Sequence, residues 1–369
     1  MSPATGRRAG GDLGIGIVGA GTIGAVHARE LAAVTGARVV AVADPTEATG
    51  RALADAHGAA WHPGIEEVVA RDDVDAVVLC TPSGLHPEGA EAAAAAGKHV
   101  ITEKPMAITL DGVDRMIGAC REAGVALCVI FQYRFNRDAV RLKRAVERGL
   151  LGDLVLGNAL VHWHRTQAYY DDKGGWRGTR AMDGGGALMN QSVHAVDLLQ
   201  WILGPVDSVF AYAATAGHDI ETEDLATAAL RFRSGAVGMI QGTTCAHRNY
   251  PLRLELRGTA GGATFEQARI TEWDAPSGDG LLSADDLERL PPAEPDEGLG
   301  PGHRRQLQVI VDALRDGGQP PIPSADARTA VEIILAIYRS AAEDRPVGLS
   351  REPWVAGDID AHPSLDITG

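Results

Sequence analysis

A lysine that directly follows an apolar run is the residue of this sequence whose position packing explains least. Lys104 lies in Thr102-Glu103-Lys104-Pro105, after the predicted buried strand Lys98–Thr102. Lysine is almost never fully buried unless it is paired. The carboxyl ends of parallel strands are where a doubly wound sheet binds its ligands, so Lys104 and Glu103 are predicted to face a bound ligand.

A glycine-rich turn earlier in the chain indicates what this ligand contains. Gly19-Ala20-Gly21-Thr22-Ile23-Gly24 is a G-x-G-x-x-G pattern between an apolar strand and a helix. In this context Gly19 makes the tight turn, Gly21 lets the backbone approach a pyrophosphate, and Gly24 permits close packing of helix on strand. The phosphates are then expected at the helix N-terminus, against Thr22 and Ile23. The alternative is a turn whose glycines serve conformation alone.

A carboxylate at the end of the second predicted strand, Arg38–Ala43, selects the dinucleotide. Asp44 follows Gly24 by about 20 residues, the spacing of the acidic residue that binds the adenosine ribose. A carboxylate there accepts hydrogen bonds from the ribose hydroxyls and repels a 2′-phosphate. Pro45 and Thr46 come next, with no arginine close by. The prediction is NAD rather than NADP; the alternative is that Asp44 only caps the following helix.

The strand end Cys80-Thr81-Pro82-Ser83 lies near the predicted switch point of the sheet. Thr81 and Pro82 are therefore expected to border the nicotinamide half of the cofactor. His86 opens the next helix. It is either a neighbour of the cofactor or a solvent-facing residue of the first turn, and the sequence favours neither.

The elements that position these residues form two predicted domains in the 369 residues. Short apolar runs alternate with helical patterns over residues 12–135, which predicts an α/β Rossmann domain with a doubly wound parallel sheet. Residues 136–350 place runs of strands after helices, which is typical of an α+β domain with an open, mostly antiparallel sheet. Residues 1–11 and 351–369 are expected to be tails, and 275–301 a long surface loop.

Composition excludes several classes of function. A formal net charge of −15 argues against a general role on nucleic acid or an anionic membrane, and no apolar run is long enough to span a bilayer. The four cysteines lack metal-ligand spacing, which fits a reducing cytoplasm. Arg7-Arg8 could open an export signal, but the apolar stretch after it is better explained as a strand and turn. No metal site is predicted, since no carboxylate completes the His162 and His164 pair.

These motifs, taken in order, give the chain a family resemblance. With G-x-G-x-x-G, Asp44 and Glu103-Lys104-Pro105, it resembles the glucose–fructose oxidoreductase / inositol dehydrogenase / MocA family, from Leu13 to about Arg345. Trp176-Arg177 and the segment Gly184–Asp197 resemble the glycine run and catalytic helix of that family. The resemblance implies hydride transfer between nicotinamide and a carbohydrate hydroxyl, and a second domain that mediates assembly into a homodimer or homotetramer. It also implies a cis peptide bond before Pro105.

One position departs from the family pattern. The family helix usually carries Asp four residues before its His, and here that residue is Asn190. Asparagine carries no charge, although it donates and accepts hydrogen bonds. Asn-Gln-x-x-His resembles a subset that includes nucleotide-sugar dehydrogenases acting at the sugar C3. The sequence therefore predicts a site that has lost a carboxylate.

The predicted chemistry is removal of a hydroxyl proton beside the nicotinamide. His194 titrates near neutrality and is assigned as general base, with Asn190 on the same helix face as substrate positioner. Lys104 is assigned to hold the reacting oxygen, and could relay the proton. Asp197 either orients His194 or interacts along its own helix. The alternatives are a helix histidine with its partners satisfied and a surface lysine paired with Glu103.

An aromatic and basic segment is interpreted as the wall of the substrate pocket. Arg165 and Tyr169 are predicted to contact substrate, and Trp176 and Arg177 to reach the cofactor, because aromatic rings stack on sugars and arginine binds carboxylate or phosphate. The alternative is edge-strand packing and a subunit contact.

Three functions follow from these residues. The first is an NAD-dependent dehydrogenase of a sugar, inositol, glycoside or nucleotide sugar. The second is an NAD-dependent redox glycosidase, which oxidises C3 transiently and regenerates NAD. The third, from another class, is a non-catalytic NAD-binding sensor. Net NADH production separates the first from the other two.

Overall fold

Six parallel strands form the first sheet of the computed structural model, which describes residues 11–275 and 301–349. Their order is β3-β2-β1-β4-β5-β6, so the direction of winding reverses between β1 and β4. The strands are β1 Leu13–Val18, β2 Ala37–Ala43, β3 Ala60–His62, β4 Ala76–Leu79, β5 His99–Thr102 and β6 Leu127–Val129. The side chains of the central strands β1 and β4 are all buried, because helices cover both faces.

Five helices connect these strands: α1 Thr22–Leu31, α2 Glu47–Ala56, α3 Ile65–Val69, α4 His86–Ala95 and α5 Leu110–Ala123. A 3₁₀ turn, Ser83–Leu85, precedes α4. The predicted doubly wound sheet is confirmed. Strand β3 was absent from the sequence prediction, because it is three residues long, half-buried, and carries no apolar run.

The second sheet has eight strands, in the order β13-β12-β11-β7-β10-β9-β8-β14. Neighbouring strands are antiparallel except β7 and β10, which are parallel. The mostly antiparallel prediction is confirmed. The strands are β7 Leu154–His162, β8 Val206–Ala214, β9 Leu225–Phe232, β10 Val237–Thr243, β11 Arg253–Gly258, β12 Gly262–Glu266, β13 Arg269–Asp274 and β14 Val347–Gly348.

Helices cover one face of this sheet. In chain order, the helical elements from residue 132 onward are the 3₁₀ turn Gln132–Phe135, α6 Arg137–Glu147, α7 Gln167–Asp171, the 3₁₀ turn Asp172–Gly174, the π-helix Ala187–Ser192, α8 Val193–Leu203, α9 Pro301–Asp316 and α10 Ser324–Glu343. Helix α8 packs on β7 and α10 packs on β8. The opposite face carries exposed apolar side chains, including Tyr212, Leu225 and Val237.

Helix α9 lies within the range assigned to the second domain but packs on the first. Leu307, Ile310, Val311 and Leu314 are buried in the same apolar cluster as Leu31 of α1. The predicted boundary at residue 135 therefore describes the sheets and not every helix. The predicted tails and most of the predicted 275–301 loop lie outside the described residues. Among the helices of residues 11–275 and 301–349, none combines the length and hydropathy needed to cross a bilayer.

Candidate active site

The glycine loop after β1 is built as the sequence predicts, with a different role for each glycine. Gly19 has φ +100°, a conformation that favours glycine. A Cβ on Gly24 would lie 2.0 Å from the Gly19 carbonyl oxygen, so helix α1 can start here only without that side chain. A Cβ on Gly21 would meet nothing within 4 Å, because the loop is open above this residue. Thr22 and Ile23 begin α1 directly behind it.

Asp44 lies against this loop. Its Oδ2 accepts a hydrogen bond of 2.8 Å from the Ala20 N–H, and its Oδ1 accepts one of 2.8 Å from Thr46 N–H, the N-cap residue of α2. The carboxylate thus ties the end of β2 to the loop and also supports the next helix. It stays half-buried at the place where the adenosine ribose is expected.

The strand end at Thr81 is closed by His86. The ring nitrogens of His86 lie 3.0 Å from the Pro105 carbonyl oxygen and 3.1 Å from that of Thr81, and the residue is 1% exposed. The solvent-facing alternative for His86 is therefore wrong. Pro82 precedes the 3₁₀ turn. The Thr81 hydroxyl is buried and finds no hydrogen-bond partner among the described residues, which leaves it available to a ligand.

Glu103 turns inward from the strand end. Its Oε1 lies 2.7 Å from His27 Nε2, and its Oε2 accepts a 3.1 Å hydrogen bond from the Lys104 N–H. Burial opposes ionisation of this carboxyl, but the hydrogen bond and charge of His27 outweigh burial and lower the pKa of Glu103. Glu103 therefore braces the loop that carries Lys104. Its predicted contact with the cofactor stays a prediction.

Two groups of side chains in the described ranges lie close enough together to hold a metal ion. In the first, His303 Nε2 lies 3.9 Å from the same Glu103 oxygen, and Nδ1 of both His27 and His303 lacks the outer partner that a metal-bound histidine usually has. In the second, which also includes Cys245, Asp224 accepts from the N–H groups of residues 216 to 218 and pairs with His218 Nδ1 at 2.9 Å.

Lys104 reaches across to the second domain. The Lys104–Pro105 peptide is cis, as the resemblance implied, and Nζ donates a 2.9 Å hydrogen bond to the backbone carbonyl of Asn190. Burial lowers the pKa of the Lys104 ammonium. The carboxylates of Glu103 and Asp183 oppose that effect, whereas the charges of two arginines add to it. The lysine is half-buried and is not the surface partner of Glu103.

Asn190 lies in the π-helix that leads into α8. Glu223 supports the start of this helix: its Oε2 accepts from the Gly186 N–H at 2.9 Å, and its Oε1 accepts from the Leu188 N–H at 2.7 Å and from the Tyr338 hydroxyl at 2.9 Å. The glycine run is required by contact, since a Cβ on Gly186 would lie 1.9 Å from the Glu223 carbonyl oxygen. π-Turns are frequent at functional sites.

His194 follows on the first turn of α8 and is 7% exposed. The rings of Phe131 and Tyr133 lie beside it, with centroids at 6.3 and 5.3 Å, and its Nδ1 is buried without a hydrogen-bond partner in the described ranges. Burial, reinforced by the charge of Lys104, lowers the pKa of His194 well below its usual value. The imidazole is therefore neutral at neutral pH.

Asp197 does not orient His194. Its carboxylate is held by Arg134 in a two-pronged contact of 2.8 and 2.7 Å, and a third bond of 2.7 Å joins Arg134 to Asp326. That alternative from the sequence is wrong, because the buried guanidinium takes both oxygens. The contact fixes α8 against the 3₁₀ turn that leaves the first domain.

Two residues to which the sequence assigned no role, Asp183 and Gln191, complete the site. Asp183 is 1% exposed, and its Oδ1 accepts a 2.5 Å hydrogen bond from Asn190 Nδ2. Gln191 donates to the Asn190 Oδ1 at 2.8 Å and to the Tyr169 hydroxyl at 2.9 Å, and accepts from Arg165 at 2.7 Å. The sequence features that could have identified them are the position of Asp183 directly before the glycine run and that of Gln191 directly after Asn190.

The aromatic and basic wall forms a stack. Two guanidinium groups contact the Tyr169 ring, with the centre of Arg165 at 5.2 Å and that of Arg177 at 4.6 Å from its centroid. Arg177 also lies 4.8 Å from the Trp176 ring. One terminal nitrogen of Arg177, Nη1, is buried and finds no hydrogen-bond partner among the described residues. This wall faces Lys104, whose pKa both arginines lower.

Family models match both halves of the chain. Residues 13–131 match the oxidoreductase family with the NAD-binding Rossmann fold, and residues 139–264 match the GFO/IDH/MocA C-terminal domain. The chain belongs to the GFO/IDH/MocA family. It is an NAD-binding oxidoreductase. The glycine loop, the Asp44 carboxylate and the unpaired Thr81 hydroxyl agree with this assignment.

Members of this family are similar along nearly the whole chain. The WlbA dehydrogenase from Bordetella pertussis, in complex with NADH and UDP-GlcNAcA, is 35% identical with a TM-score of 0.84, over 93% of this chain and 99% of that one. A 1,5-anhydro-D-fructose reductase of Ensifer adhaerens is 31% identical over 89% of this chain and 96% of its own. A myo-inositol 2-dehydrogenase of Thermotoga maritima is 29% identical over 91% and 98%.

This family member keeps a carboxylate at the site although Asn190 replaces the usual aspartate. Asp183 supplies it from the loop before the glycine run, at hydrogen-bond distance from Asn190. A carboxylate is therefore present beside position 190, although the residue at that position is an amide.

Proposed function

We propose that this protein oxidises a secondary hydroxyl of an anionic carbohydrate, with NAD as the hydride acceptor. The observation that carries the proposal is the 2.9 Å hydrogen bond from Lys104 Nζ to the Asn190 backbone. It places the lysine from the end of β5 beside the π-helix that bears Asn190 and continues into α8 with His194. A hydroxyl bound there has a donor, an acceptor and a cofactor within one cleft.

The cofactor is proposed to lie along the carboxyl ends of β1, β2 and β4. The loop at Gly21 and the first turn of α1 would hold its pyrophosphate, Asp44 its ribose, and Thr81 its nicotinamide half. When bound, it supplies the acceptor of the hydride. Everything else required for the oxidation falls to the side chains of the cleft.

Removal of the hydroxyl proton is proposed to involve His194 and Lys104 together. Burial, together with the charge of Lys104, lowers the pKa of His194, so we propose that the imidazole is neutral and Lys104 is the charged partner. The neutral imidazole is then free to accept the hydroxyl proton, and the ammonium donates to the oxygen as negative charge develops on it. Asn190 holds the substrate through the remaining capacity of its amide.

The anionic substrate is inferred from the arginines of the pocket wall. Arg177 forms no ion pair with a carboxylate of the described residues, although one of its terminal nitrogens is buried without a partner. We propose that Arg177, predicted from the sequence to reach the cofactor, also contacts the substrate, because a carboxylate or phosphate would bind its guanidinium in a two-pronged contact that a neutral polyol cannot form. WlbA, the similar dehydrogenase, was crystallised with UDP-GlcNAcA. We therefore propose a nucleotide sugar that carries an acid group, oxidised at C3.

The proposal is tested by NADH formation, followed by absorbance, on UDP-linked uronates, neutral UDP-sugars, myo-inositol and free glycosides. Turnover is expected with the uronates and at least tenfold less with their neutral counterparts. Lys104→Met should abolish turnover while NADH still binds, and the matched lysine variant Lys143→Met on α6 should retain it. Equal turnover of neutral and acidic sugars would contradict the anionic substrate.

The same assay decides between the alternatives. Cleavage of a glycoside without accumulation of NADH would identify the redox glycosidase. NADH binding without turnover of any carbohydrate would identify the sensor.

We also propose that the uncovered face of the second sheet binds the same face of a second copy. Tyr212, Leu225 and Val237 are 63%, 42% and 51% exposed there, on adjacent strands. Exposed apolar surface of this kind marks an interface. A homodimer or homotetramer is expected in light scattering, and a monomer at micromolar concentration would contradict it.

The free state of all four cysteines supports a cytoplasmic location.

A further inference from the structure

The carboxylate of Asp183 is buried at the centre of the cleft, yet no lysine or arginine of the described residues pairs with it in direct contact. It is 1% exposed, and the hydrogen bonds it accepts come from the Gly178 N–H at 2.8 Å and from Asn190 Nδ2 at 2.5 Å. Burying a carboxylate with so few donors is costly, so its position calls for a reason. Burial raises the pKa of Asp183 to about 6, against the opposing effect of these bonds and of the Lys104 and Arg177 charges.

Asp183 determines which way the Asn190 amide points. An ionised carboxylate only accepts hydrogen bonds, so the Asn190 group facing Asp183 must be the NH₂. The Asn190 oxygen then faces the other way, where it accepts from Gln191 Nε2 at 2.8 Å. One amide hydrogen and one lone pair of Asn190 remain for a substrate hydroxyl, in a fixed arrangement.

Asp183 also acts on Lys104, which donates to the Asn190 backbone carbonyl. The Asp183 charge raises the pKa of Lys104 against the effect of burial. The charged groups that act on the lysine are Glu103, Asp183, Arg165 and Arg177, and the titratable histidines that interact with it are His194 and His303. Of the two carboxylates, Glu103 is already engaged with His27, so Asp183 is the one directed to the site.

We propose that Asp183 is a positioning residue that orients the Asn190 amide and maintains the charge of Lys104, in place of the carboxylate absent from position 190. The inference rests on the proposed function, because its kinetic consequence requires turnover of a carbohydrate. Nothing is transferred to Asp183 in the reaction. It acts through Asn190 and Lys104 alone.

The first test is Asp183→Asn, with exposed Asp171→Asn as the matched control. The amide introduced at position 183 still accepts from Gly178 but presents an NH₂ to the NH₂ of Asn190, so one amide must turn. We expect kcat to fall about 100-fold, as misplacement of a substrate-positioning group does. NADH affinity should stay unchanged, and the control should match wild type. Wild-type kcat in Asp183→Asn overturns the proposal.

The second test exchanges the two groups. Asp183→Asn combined with Asn190→Asp restores a carboxylate and an NH₂ across the same contact, so we expect kcat to rise at least tenfold above that of Asp183→Asn, while KM for an acidic sugar exceeds the wild-type value because a carboxylate now faces the substrate. This variant also decides the matter if the single variant fails to fold. An exchanged protein that binds NADH but is no faster than Asp183→Asn overturns the proposal.

The third test needs no substrate and so separates this inference from the proposed function. The reaction of Lys104 with an amine-directed label, measured by mass spectrometry across pH, reports the pKa of that lysine, with Lys143 as the internal control. In Asp183→Asn the midpoint for Lys104 should move to lower pH, by on the order of one unit. An unmoved midpoint overturns the inference even if the enzyme is a dehydrogenase. Inactivity of the wild type on every carbohydrate overturns the proposed function alone.

Discussion

Replacing either of two glycines of the same loop, Gly21 or Gly24, with alanine should damage a different property of the protein. At Gly24 a Cβ would lie 2.0 Å from the Gly19 carbonyl oxygen, and both groups are backbone or fixed to it. At Gly21 a Cβ would meet nothing within 4 Å. Gly24→Ala is therefore expected to damage the fold, and Gly21→Ala to damage cofactor binding, because the open space above Gly21 is where the pyrophosphate must approach.

The magnitudes follow from these contacts. Alanine at position 24 gains about 1 kcal/mol of helix propensity over glycine. The carbonyl must retreat by roughly 1.5 Å to reach ordinary contact distance, and overpacking of this kind costs about 3 kcal/mol or more. The clash therefore wins, and Gly24→Ala is destabilised. At the N-cap, Gly21→Ala should change the free energy of unfolding by less than about 1 kcal/mol. Its NADH dissociation constant should rise at least tenfold, about 1.4 kcal/mol.

Thermal unfolding and NADH fluorescence titration measure the two quantities on each variant. Gly318→Ala is the control, since its nearest atom, the Ala313 carbonyl oxygen, is at an ordinary 3.5 Å. Wild-type affinity in Gly21→Ala would refute the placement of the pyrophosphate. Wild-type stability in Gly24→Ala would refute the packing argument.

Three further predictions concern single side chains. Asp44→Ser should raise kcat/KM with NADP relative to NAD, because a carboxylate that repels the 2′-phosphate is gone; an unchanged cofactor ratio would contradict this. Burial raises the pKa of Glu223 from 4.5 to about 7, so the folded state holds that proton more tightly than the unfolded state and loses stability as pH rises from about 5 to 8. Glu223→Gln should therefore gain on the order of 3 kcal/mol relative to wild type between those pH values in denaturant unfolding, whereas a constant difference would contradict it. Arg134→Met should cost about 3 to 5 kcal/mol by the same method, since it leaves a buried carboxylate unpaired, and Asp197→Asn in addition should recover part of the loss.

The fold was largely predictable because most of its strands and helices can be recognised from local sequence patterns. Continuous apolar runs alternating with helical patterns predicted the parallel sheet, and runs of strands after helices predicted the mostly antiparallel one. Strand β3 was not predictable, because Ala60–His62 takes its place by pairing with β2 rather than by its own composition. The packing of α9 on α1 also depends on the whole fold, since an amphipathic helix does not specify which apolar surface covers it.

The site residues likewise include some that local sequence identifies and others whose contacts depend on tertiary structure. Lys104 and the glycine loop could be predicted, because each follows a strand whose carboxyl end faces the ligand. His194 and Asn190 could be placed on one helix from their spacing. The partner of Asp197 could not, since Arg134 is brought to it only by tertiary structure. For the same reason the contact of Glu103 with His27 was not predicted from the sequence.

The position of the carboxylate connects the two proposals about this site. An aspartate at position 190 would place negative charge against the substrate and would repel an acidic sugar. Asp183 lies behind Asn190, so it supports the pKa of Lys104 while a neutral amide faces the substrate. The cleft then presents Arg165, Arg177 and Lys104 to an anion without an opposing charge in contact with it. A carboxylate at loop position 183, and not at helix position 190, is therefore the arrangement that the proposed anionic substrate requires. A neutral polyol would not require it.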